Sequence, residues 1–248
     1  MTSDPHLRTA GLARRFGDFT ALDGVDITVP RGQLRGIIGP NGAGKTTLFN
    51  LLSGLLKPTA GEIWFDGLEI TGLPAHRVAR RGMARTLQIA SAFESLTVLE
   101  NAVGAVNGTK PLLTPLGSYH RDEPTRSRAM ASLERVGIRD LADTRVGDLS
   151  HGDARLLELA LAMASDPDLL LLDEPTAGLA PGEVDDLTDL IRDIAAEVTV
   201  LLVEHNMDVV MDVADRLTVL NQGTVLAEGT PAAIRENDRV RDVYFGRR

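Results

Sequence analysis

The sequence predicts an α/β fold, with a parallel sheet and its helices, an antiparallel layer beside it and an inserted helical lobe. Leu169–Leu172 is wholly apolar and Val198–Val203 almost so, which is typical of central parallel strands buried on both faces. Helical patterns alternate with these strands, and this alternation favours a parallel sheet. Near the start of the chain, Gly24–Pro30 alternates apolar and polar residues. It therefore predicts a half-buried strand of a second layer.

The elements before residue 70 surround a glycine-rich segment. Gln33–Ile38 predicts a strand that leads directly into this segment, and Lys45–Leu52 predicts the helix that follows it. The helix is expected to stop near Gly54 and Pro58, which are helix-ending residues. Glu62–Asp66 predicts a further short strand of the antiparallel layer.

The later elements complete the sheet. Arg155–Ala164 is apolar on nearly all sides and predicts a buried helix, whereas Pro181 opens an amphipathic helix. Leu217–Leu220 and Thr224–Ala227 flank an Asn-Gln-Gly turn, which predicts a hairpin.

The chain is expected to form a single domain over residues 1–248, with a core, a lobe and a tail. The core comprises residues 1–87 and 155–228, and the tail comprises residues 229–248. Residues 88–154 are rich in proline and glycine and contain the mixed-charge run Arg126–Val136. This contrast in composition predicts an inserted helical subdomain.

The composition narrows the possible functions. Hydrophobic residues make up 43% of the chain and charged residues 25%, as in ordinary globular proteins. The absence of cysteine excludes disulfides and cysteine-based zinc sites. A net charge of −9 disfavours nucleic acid as a partner, because its binding requires clustered cations. The apolar runs are too short for a membrane span, and the N-terminus does not resemble a signal peptide. A cytoplasmic location is therefore expected.

The glycine-rich segment fits the pattern G-x-x-x-x-G-K-[ST] without a mismatch. Glycines let the backbone N–H groups approach phosphate oxygens, and the following helix adds its positive end. The Lys45 ammonium suits the outer phosphates, and the Thr46 hydroxyl suits Mg²⁺. A chance glycine-rich turn is disfavoured because a predicted strand precedes the motif and a predicted helix follows it. The predicted phosphate-binding residues are Gly39, Pro40, Asn41, Gly42, Ala43, Gly44, Lys45, Thr46 and Thr47.

Two carboxylates follow the apolar strand at 169–172. Ligands of open α/β sheets lie beyond the carboxyl ends of the strands, so Asp173 and Glu174 are expected near the phosphates. Asp173 suits Mg²⁺, and Glu174 suits a general base that polarises the attacking water. The alternative is that these two carboxylates lie in a solvated turn without a ligand. The complete phosphate loop in the same chain disfavours this alternative.

The order of motifs resembles that of ATP-binding-cassette ATPases over nearly the whole chain. After GPNGAGKTT come the glutamine of ARTLQ, the signature segment LSHGD, then LLLLDEP, and finally EH. The resemblance implies a P-loop NTPase core that hydrolyses ATP with Mg²⁺. It also implies a dimer in which two subunits enclose two ATP molecules.

Further residues receive roles only through this resemblance. Gln88 would contact Mg²⁺ and the attacking water, and His205 would hydrogen-bond the γ-phosphate. Ser150 and Gly152 would contact the γ-phosphate held by the opposite subunit, through a helix that runs from Asp153 onward. Taken alone, the glutamine is an ordinary loop residue and the histidine a structural one. Phe16 would stack on adenine, and a core position in the antiparallel layer is its alternative.

Three positions depart from the family pattern. His151 and Asp153 replace the usual glycine and glutamine of the signature. Asp153 adds a negative charge near the opposite phosphate, although an acidic residue can also cap the helix. Ala180 stands where the family has a carboxylate, which predicts altered communication between the two ATP sites.

The segment EHNMDVVMDVADRLTVLNQGTVLAEGTPAAI and the tail VRDVYFG resemble the ATPases of branched-chain amino-acid importers. Importers of urea or short amides are similar over the same stretch and remain an alternative. The implied partners are membrane permease subunits, a second copy or paralogue of the ATPase and, indirectly, an extracytoplasmic solute-binding protein. The chain would then lie on the inner face of the membrane. A soluble cassette ATPase in DNA repair or translation, and a regulatory module without turnover, are the rivals.

Overall fold

The computed structural model describes residues 5–86, 92–108 and 122–245. Its strands form a four-stranded sheet in the order β2-β1-β4-β5 and a six-stranded sheet in the order β10-β9-β3-β8-β7-β6. The strands are β1 (Leu7–Phe16), β2 (Phe19–Val29), β3 (Leu34–Ile38), β4 (Ala60–Phe65), β5 (Leu68–Glu69), β6 (Met83–Arg85), β7 (Leu169–Asp173), β8 (Thr199–Val203), β9 (Arg216–Asn221) and β10 (Thr224–Gly229).

Helices connect these strands and build the lobe. They are α1 (Lys45–Leu52), α2 (Ala75–Ala79), α3 (Val98–Asn107), α4 (Glu123–Arg135), α5 (His151–Met163), α6 (Pro181–Ala195), α7 (Met207–Val213), α8 (Pro231–Arg235) and α9 (Asp238–Phe245). Short 3-10 turns at Arg139–Leu141 and Val146–Asp148 lie between α4 and α5. The helices of the described residues include none that is both long and apolar enough to cross a membrane.

The six-stranded sheet is parallel except at one edge. Strands β3, β6, β7, β8 and β9 run parallel, and β10 pairs antiparallel with β9. The strands β7 and β8 are buried along nearly their whole length, as their apolar runs predict. The α/β fold with a parallel sheet and an antiparallel layer is confirmed.

Two apolar clusters lie on opposite faces of the large sheet. One joins the antiparallel sheet to α1 and includes Phe49, Phe65 and Leu171. The other joins the sheet to α3, α4, α5 and α6 and includes Leu133, Leu172 and Ile191. Alternate residues of β7 therefore serve different clusters, and α1 is held between the two sheets.

Helices α3, α4 and α5 pack on one another and build the lobe. Helix α5 begins at His151, before the predicted start at Asp153, because the Ser150 hydroxyl accepts a hydrogen bond from Asp153 N at 3.1 Å. A side-chain cap of this kind fixes where a helix begins. The predicted boundary between residues 154 and 155 consequently falls inside α5, which continues from the lobe into the core.

Candidate active site

The phosphate loop joins β3 to α1 and requires glycine at several positions. A Cβ on Gly39 would lie 2.2 Å from the Leu220 carbonyl oxygen, and one on Gly44 would lie 2.7 Å from the Ala21 carbonyl oxygen. Gly44 also has a φ of +104° at the N-cap of α1, where L side chains are strained. Among the described residues, none caps α1 through its side chain. The first N–H groups of the helix therefore suit an anion.

Lys45 is bound back onto this loop. Its side chain is only 5% exposed, and Nζ donates to the carbonyl oxygens of Gly39 at 2.7 Å and Pro40 at 3.3 Å. Burial lowers the pKa of Lys45, and the nearby carboxylates of Glu174 and Asp173 oppose that shift. A buried ammonium group at this loop is suited to bind a phosphate.

A cleft of about 240 Å³ opens over the loop. It brings together most of the predicted phosphate-binding residues with the predicted general base and the predicted γ-phosphate-binding histidine. Its lining consists of Phe19, Ala21, Asn41, Gly42, Ala43, Gly44, Lys45, Thr46, Thr47, Glu174 and His205.

Glu174 and His205 meet directly in this cleft. Glu174 Oε1 accepts a hydrogen bond from His205 Nε2 at 2.8 Å, and both side chains are reachable by water. The Glu174 backbone has a φ of +50° and its N–H donates to the Val203 carbonyl oxygen at 2.8 Å. A left-handed glutamate is uncommon and is typical of functional sites.

Asp173 forms an ion pair that the sequence did not predict. Its Oδ2 accepts from Arg85 Nη2 at 2.7 Å, and Arg85 Nη1 also donates to Asn50 Oδ1 at 2.7 Å. The Asp173 carboxylate and the Thr46 hydroxyl are the oxygen donors that Mg²⁺ takes. The donor chemistry of these two residues suits a magnesium ion, and Arg85 already occupies one Asp173 oxygen.

The aromatic residues at the turn between β1 and β2 are exposed. Phe16 is 44% exposed and Phe19 is 63% exposed. The Arg14 guanidinium lies 4.5 Å from the centre of the Phe16 ring. An exposed ring does not fit the core alternative for Phe16, and the face that Arg14 does not cover can stack on a base. Phe19, which faces Phe16 across the turn, lines the cleft itself.

The signature residues Ser150 and Gly152 are not part of the cleft over the phosphate loop. Among the described residues that line the cleft, neither Ser150 nor Gly152 appears, and Gly152 lines a separate cavity beside α6. Ser150 Oγ donates to Asp153 Oδ2 at 2.6 Å, so the departure at Asp153 engages the hydroxyl predicted to bind phosphate. His151 Nε2 donates to the Ala177 carbonyl oxygen at 3.2 Å, which ties the signature to the loop after Glu174.

Gln88 lies outside the described residues. The sequence reasoning missed Arg85 and Phe19. Arg85 is the last residue of a three-residue strand, β6, which is too short for a hydrophobic pattern. Phe19 carried a signal, because it lies three residues after Phe16 across a glycine-containing turn.

A family model described as ABC transporter matches residues 22–177, a stretch that contains the phosphate loop, the signature and Glu174. The chain belongs to the ABC transporter family, as an ATP-hydrolysing subunit. A second model, described as Branched-chain amino acid ATP-binding cassette transporter, matches residues 224–248.

Relatives match this chain along nearly its whole length. It is 44% identical to the high-affinity branched-chain amino acid transport ATP-binding protein BraF of Pseudomonas aeruginosa, over 98% of this chain and 99% of that one. It is 41% identical to LivG of Escherichia coli, with the same coverage. A solved ATP-binding cassette of an ABC transporter in its ADP conformation has a TM-score of 0.88 at 33% identity and covers 99% of this chain and 100% of its own.

Proposed function

We propose that this chain hydrolyses Mg-ATP to power the import of branched-chain amino acids through membrane permease subunits. The full-length similarity to BraF is the observation that supports this proposal most strongly. The similarity of residues 224–248 to a model for branched-chain amino acid transporters supports the same solute class.

Each residue of the cleft has a chemical task in this proposal. The backbone from Gly39 to Thr47 and the Lys45 ammonium bind the phosphates. Glu174 accepts the proton of the attacking water. His205 Nε2, which donates to Glu174 at 2.8 Å, would donate to the γ-phosphate instead when ATP is bound. Thr46 and Asp173 would hold Mg²⁺, which when bound neutralises phosphate charge. Gln88 is proposed as a further contact to the metal and the water.

The separation of Ser150 and Gly152 from the cleft supports a dimer. A single chain cannot bring the N-terminus of α5 onto its own phosphates in this arrangement, whereas a second copy or a paralogue can. We infer that the two subunits face each other with the signature of one over the phosphate loop of the other. Phe16, at the turn between β1 and β2, is proposed to stack on the adenine ring.

The proposed docking surface for the permease is the segment from residue 88 to 101. Phe93 within it is 67% exposed and offers an apolar side chain to a partner. Val98 and Leu99, in the same segment, are buried in the lobe core and do not contribute to this surface. Ile89 and Ala90 lie outside the described residues.

Cysteine crosslinking in cells tests the docking surface. A Phe93→Cys variant should crosslink to a membrane protein, since the chain has no cysteine of its own. Leu68→Cys is the matched control, because Leu68 is a comparably exposed apolar residue on the antiparallel sheet. Equal crosslinking at both positions, or none at Phe93, would remove this surface from the proposal. Capture of no membrane protein at any exposed position would instead favour the soluble rival.

Uptake measurements test the solute. Cells that lack the gene should lose most high-affinity leucine uptake and regain it with the wild-type chain but not with Glu174→Gln. Urea and a short amide are measured alongside, because importers of those solutes are similar over the same segments. Loss of urea or amide uptake with normal leucine uptake would reassign the solute.

The same proposal includes a location and an indirect partner. The chain would lie peripherally on the inner face of the membrane, and an extracytoplasmic solute-binding protein would be its indirect partner.

A further inference from the structure

Glu204 has a buried carboxylate, and the proposed mechanism of ATP hydrolysis gives it no role. It directly follows β8, precedes His205 and is 4% exposed. A carboxylate at this depth is costly unless its oxygens are fully hydrogen-bonded. Its partners therefore indicate what it does.

Both oxygens of Glu204 are used, and each serves a different loop. Oε1 accepts from the Thr176 N–H at 2.9 Å and from the Thr176 hydroxyl at 2.6 Å. Oε2 accepts from the His205 N–H at 2.9 Å and from the Asn206 N–H at 3.2 Å. One carboxylate thus joins the loop after β7 to the loop after β8.

These two loops carry Glu174 and His205. Thr176 lies two residues after Glu174, whose own N–H is bonded to Val203, the last residue of β8. The loop after β7 is consequently attached to the end of β8 at two points, on either side of Pro175. The 2.8 Å contact between Glu174 and His205 lies beside this double attachment.

We propose that Glu204 is a positioning residue that holds Glu174 and His205 at their working distance. This inference rests on the proposed roles of those two residues in ATP hydrolysis. Glu204 does not touch the nucleotide cleft and transfers no proton. Its carboxylate fixes the backbone N–H groups of both loops, and through them the two side chains.

A glutamine cannot replace this carboxylate. Four donors point at Glu204, and an amide offers one oxygen and one NH2 group. If the oxygen faces His205 and Asn206, the NH2 group meets the Thr176 N–H, which then loses its acceptor. In the opposite orientation, the NH2 group faces the N–H groups of His205 and Asn206, and both of these lose their hydrogen-bond acceptor. Glu204→Gln therefore releases one loop or the other without changing the size of the side chain.

The test measures steady-state hydrolysis and ATP affinity on the purified full-length chain. Glu204→Gln should lower kcat by roughly 10- to 100-fold, since small displacements of catalytic groups have effects of that size. The KM for ATP should change by less than about threefold, because the phosphate loop is untouched. Asp208→Asn is the matched control and should leave both constants unchanged, as Asp208 is an exposed carboxylate four residues further along.

A second pair of variants covers the case in which Glu204→Gln does not fold. Thr176→Val removes the hydroxyl that donates at 2.6 Å but keeps the N–H and the shape, whereas Thr176→Ser keeps the hydroxyl. We expect kcat to fall by about 3- to 10-fold in the valine variant, the loss of one such bond. The serine variant should retain most of the wild-type rate.

A combined variant separates positioning from general weakening of the fold. Glu204→Gln should have little further effect on the residual hydrolysis of a chain that already carries Glu174→Gln and His205→Ala, because its action passes through those two side chains. Wild-type kcat in a folded Glu204→Gln chain, or multiplicative losses in the combined variant, would overturn the inference. Wild-type kcat in Glu174→Gln would overturn the proposed role of Glu174 instead, so the two failures are distinguishable.

Discussion

Arg85 is expected to contribute measurably to stability as well as to the position of Asp173. Its guanidinium donates to Asp173, to Asn50 and, at 3.3 Å, to the Ser53 hydroxyl. The side chain is 10% exposed and that of Asp173 is 20% exposed. Arg85→Met keeps the apolar stem and removes all three hydrogen bonds.

The size of the effect follows from the burial of this pair. Removing one partner of a fully buried ion pair costs about 3–5 kcal/mol. Because Asp173 is partly exposed, water can solvate part of its charge, and we expect about 2–3 kcal/mol. In a chain of this length, each kcal/mol shifts Tm by about 2–4 °C. Arg85→Met should therefore lower Tm by roughly 4–12 °C in a calorimetric scan without nucleotide.

Arg31 supplies a matched control. It forms two ion pairs, with Asp66 at 2.6 Å and Asp168 at 3.3 Å, but its side chain is 54% exposed. Exposed pairs contribute about 0–1 kcal/mol, so Arg31→Met should lower Tm by no more than about 4 °C. Equal shifts in the two variants would refute the reasoning, because burial would then not decide the value of the pair.

Three further predictions concern nucleotide binding. Lys45→Ala should weaken Mg-ATP binding at least tenfold in an equilibrium titration, from the loss of about 1.5–3 kcal/mol of charge-assisted contacts; near-normal affinity would remove Lys45 from the site. Phe16→Ala should weaken ATP binding several-fold, the effect of about 0.5–1.5 kcal/mol of stacking, while Phe16→Leu should do less. A lower Tm with unchanged affinity would show instead that Phe16 contributes to the stability of the fold and not to nucleotide binding. Asp153→Asn, placed in a Glu174→Gln chain, should strengthen ATP-dependent dimers about fivefold in a dilution series, by removing about 1 kcal/mol of repulsion; weaker dimers would contradict this.

The buried parallel strands and the phosphate loop could be predicted from the sequence because local patterns determine them. Strand β7 needs only its apolar run, and the loop needs only its glycines and Lys45. Strand β1 escaped prediction because irregularities near Thr9, Leu12 and Arg14 interrupt its pairing. Such bulges break the two-residue alternation on which strand prediction depends.

Contacts between distant segments could not be predicted. Arg85 meets Asp173, and Thr176 meets Glu204, only after three parallel strands have assembled side by side. No local periodicity encodes these pairs. The exposure of Phe16 likewise became visible only in the folded chain, where the turn after β1 projects it outward.

The central claim is that two subunits enclose ATP, with Glu174 as the catalytic base. Glu174 lines the cleft, whereas Ser150 is not among the described residues that line it. In the claimed arrangement a second subunit supplies the signature residues. Glu174→Gln keeps the shape of the side chain but cannot take the proton of the attacking water. Unhydrolysed ATP should then hold two subunits together.

Light scattering of Glu174→Gln in each nucleotide tests this claim most directly. We expect a dimer with Mg-ATP, a monomer with ADP, and loss of the ATP dimer when Ser150→Arg is added. A monomer with Mg-ATP at tens of micromolar protein, both alone and after mixing with a candidate paralogue, would contradict the two-subunit arrangement, and wild-type hydrolysis by Glu174→Gln would contradict the assignment of the base.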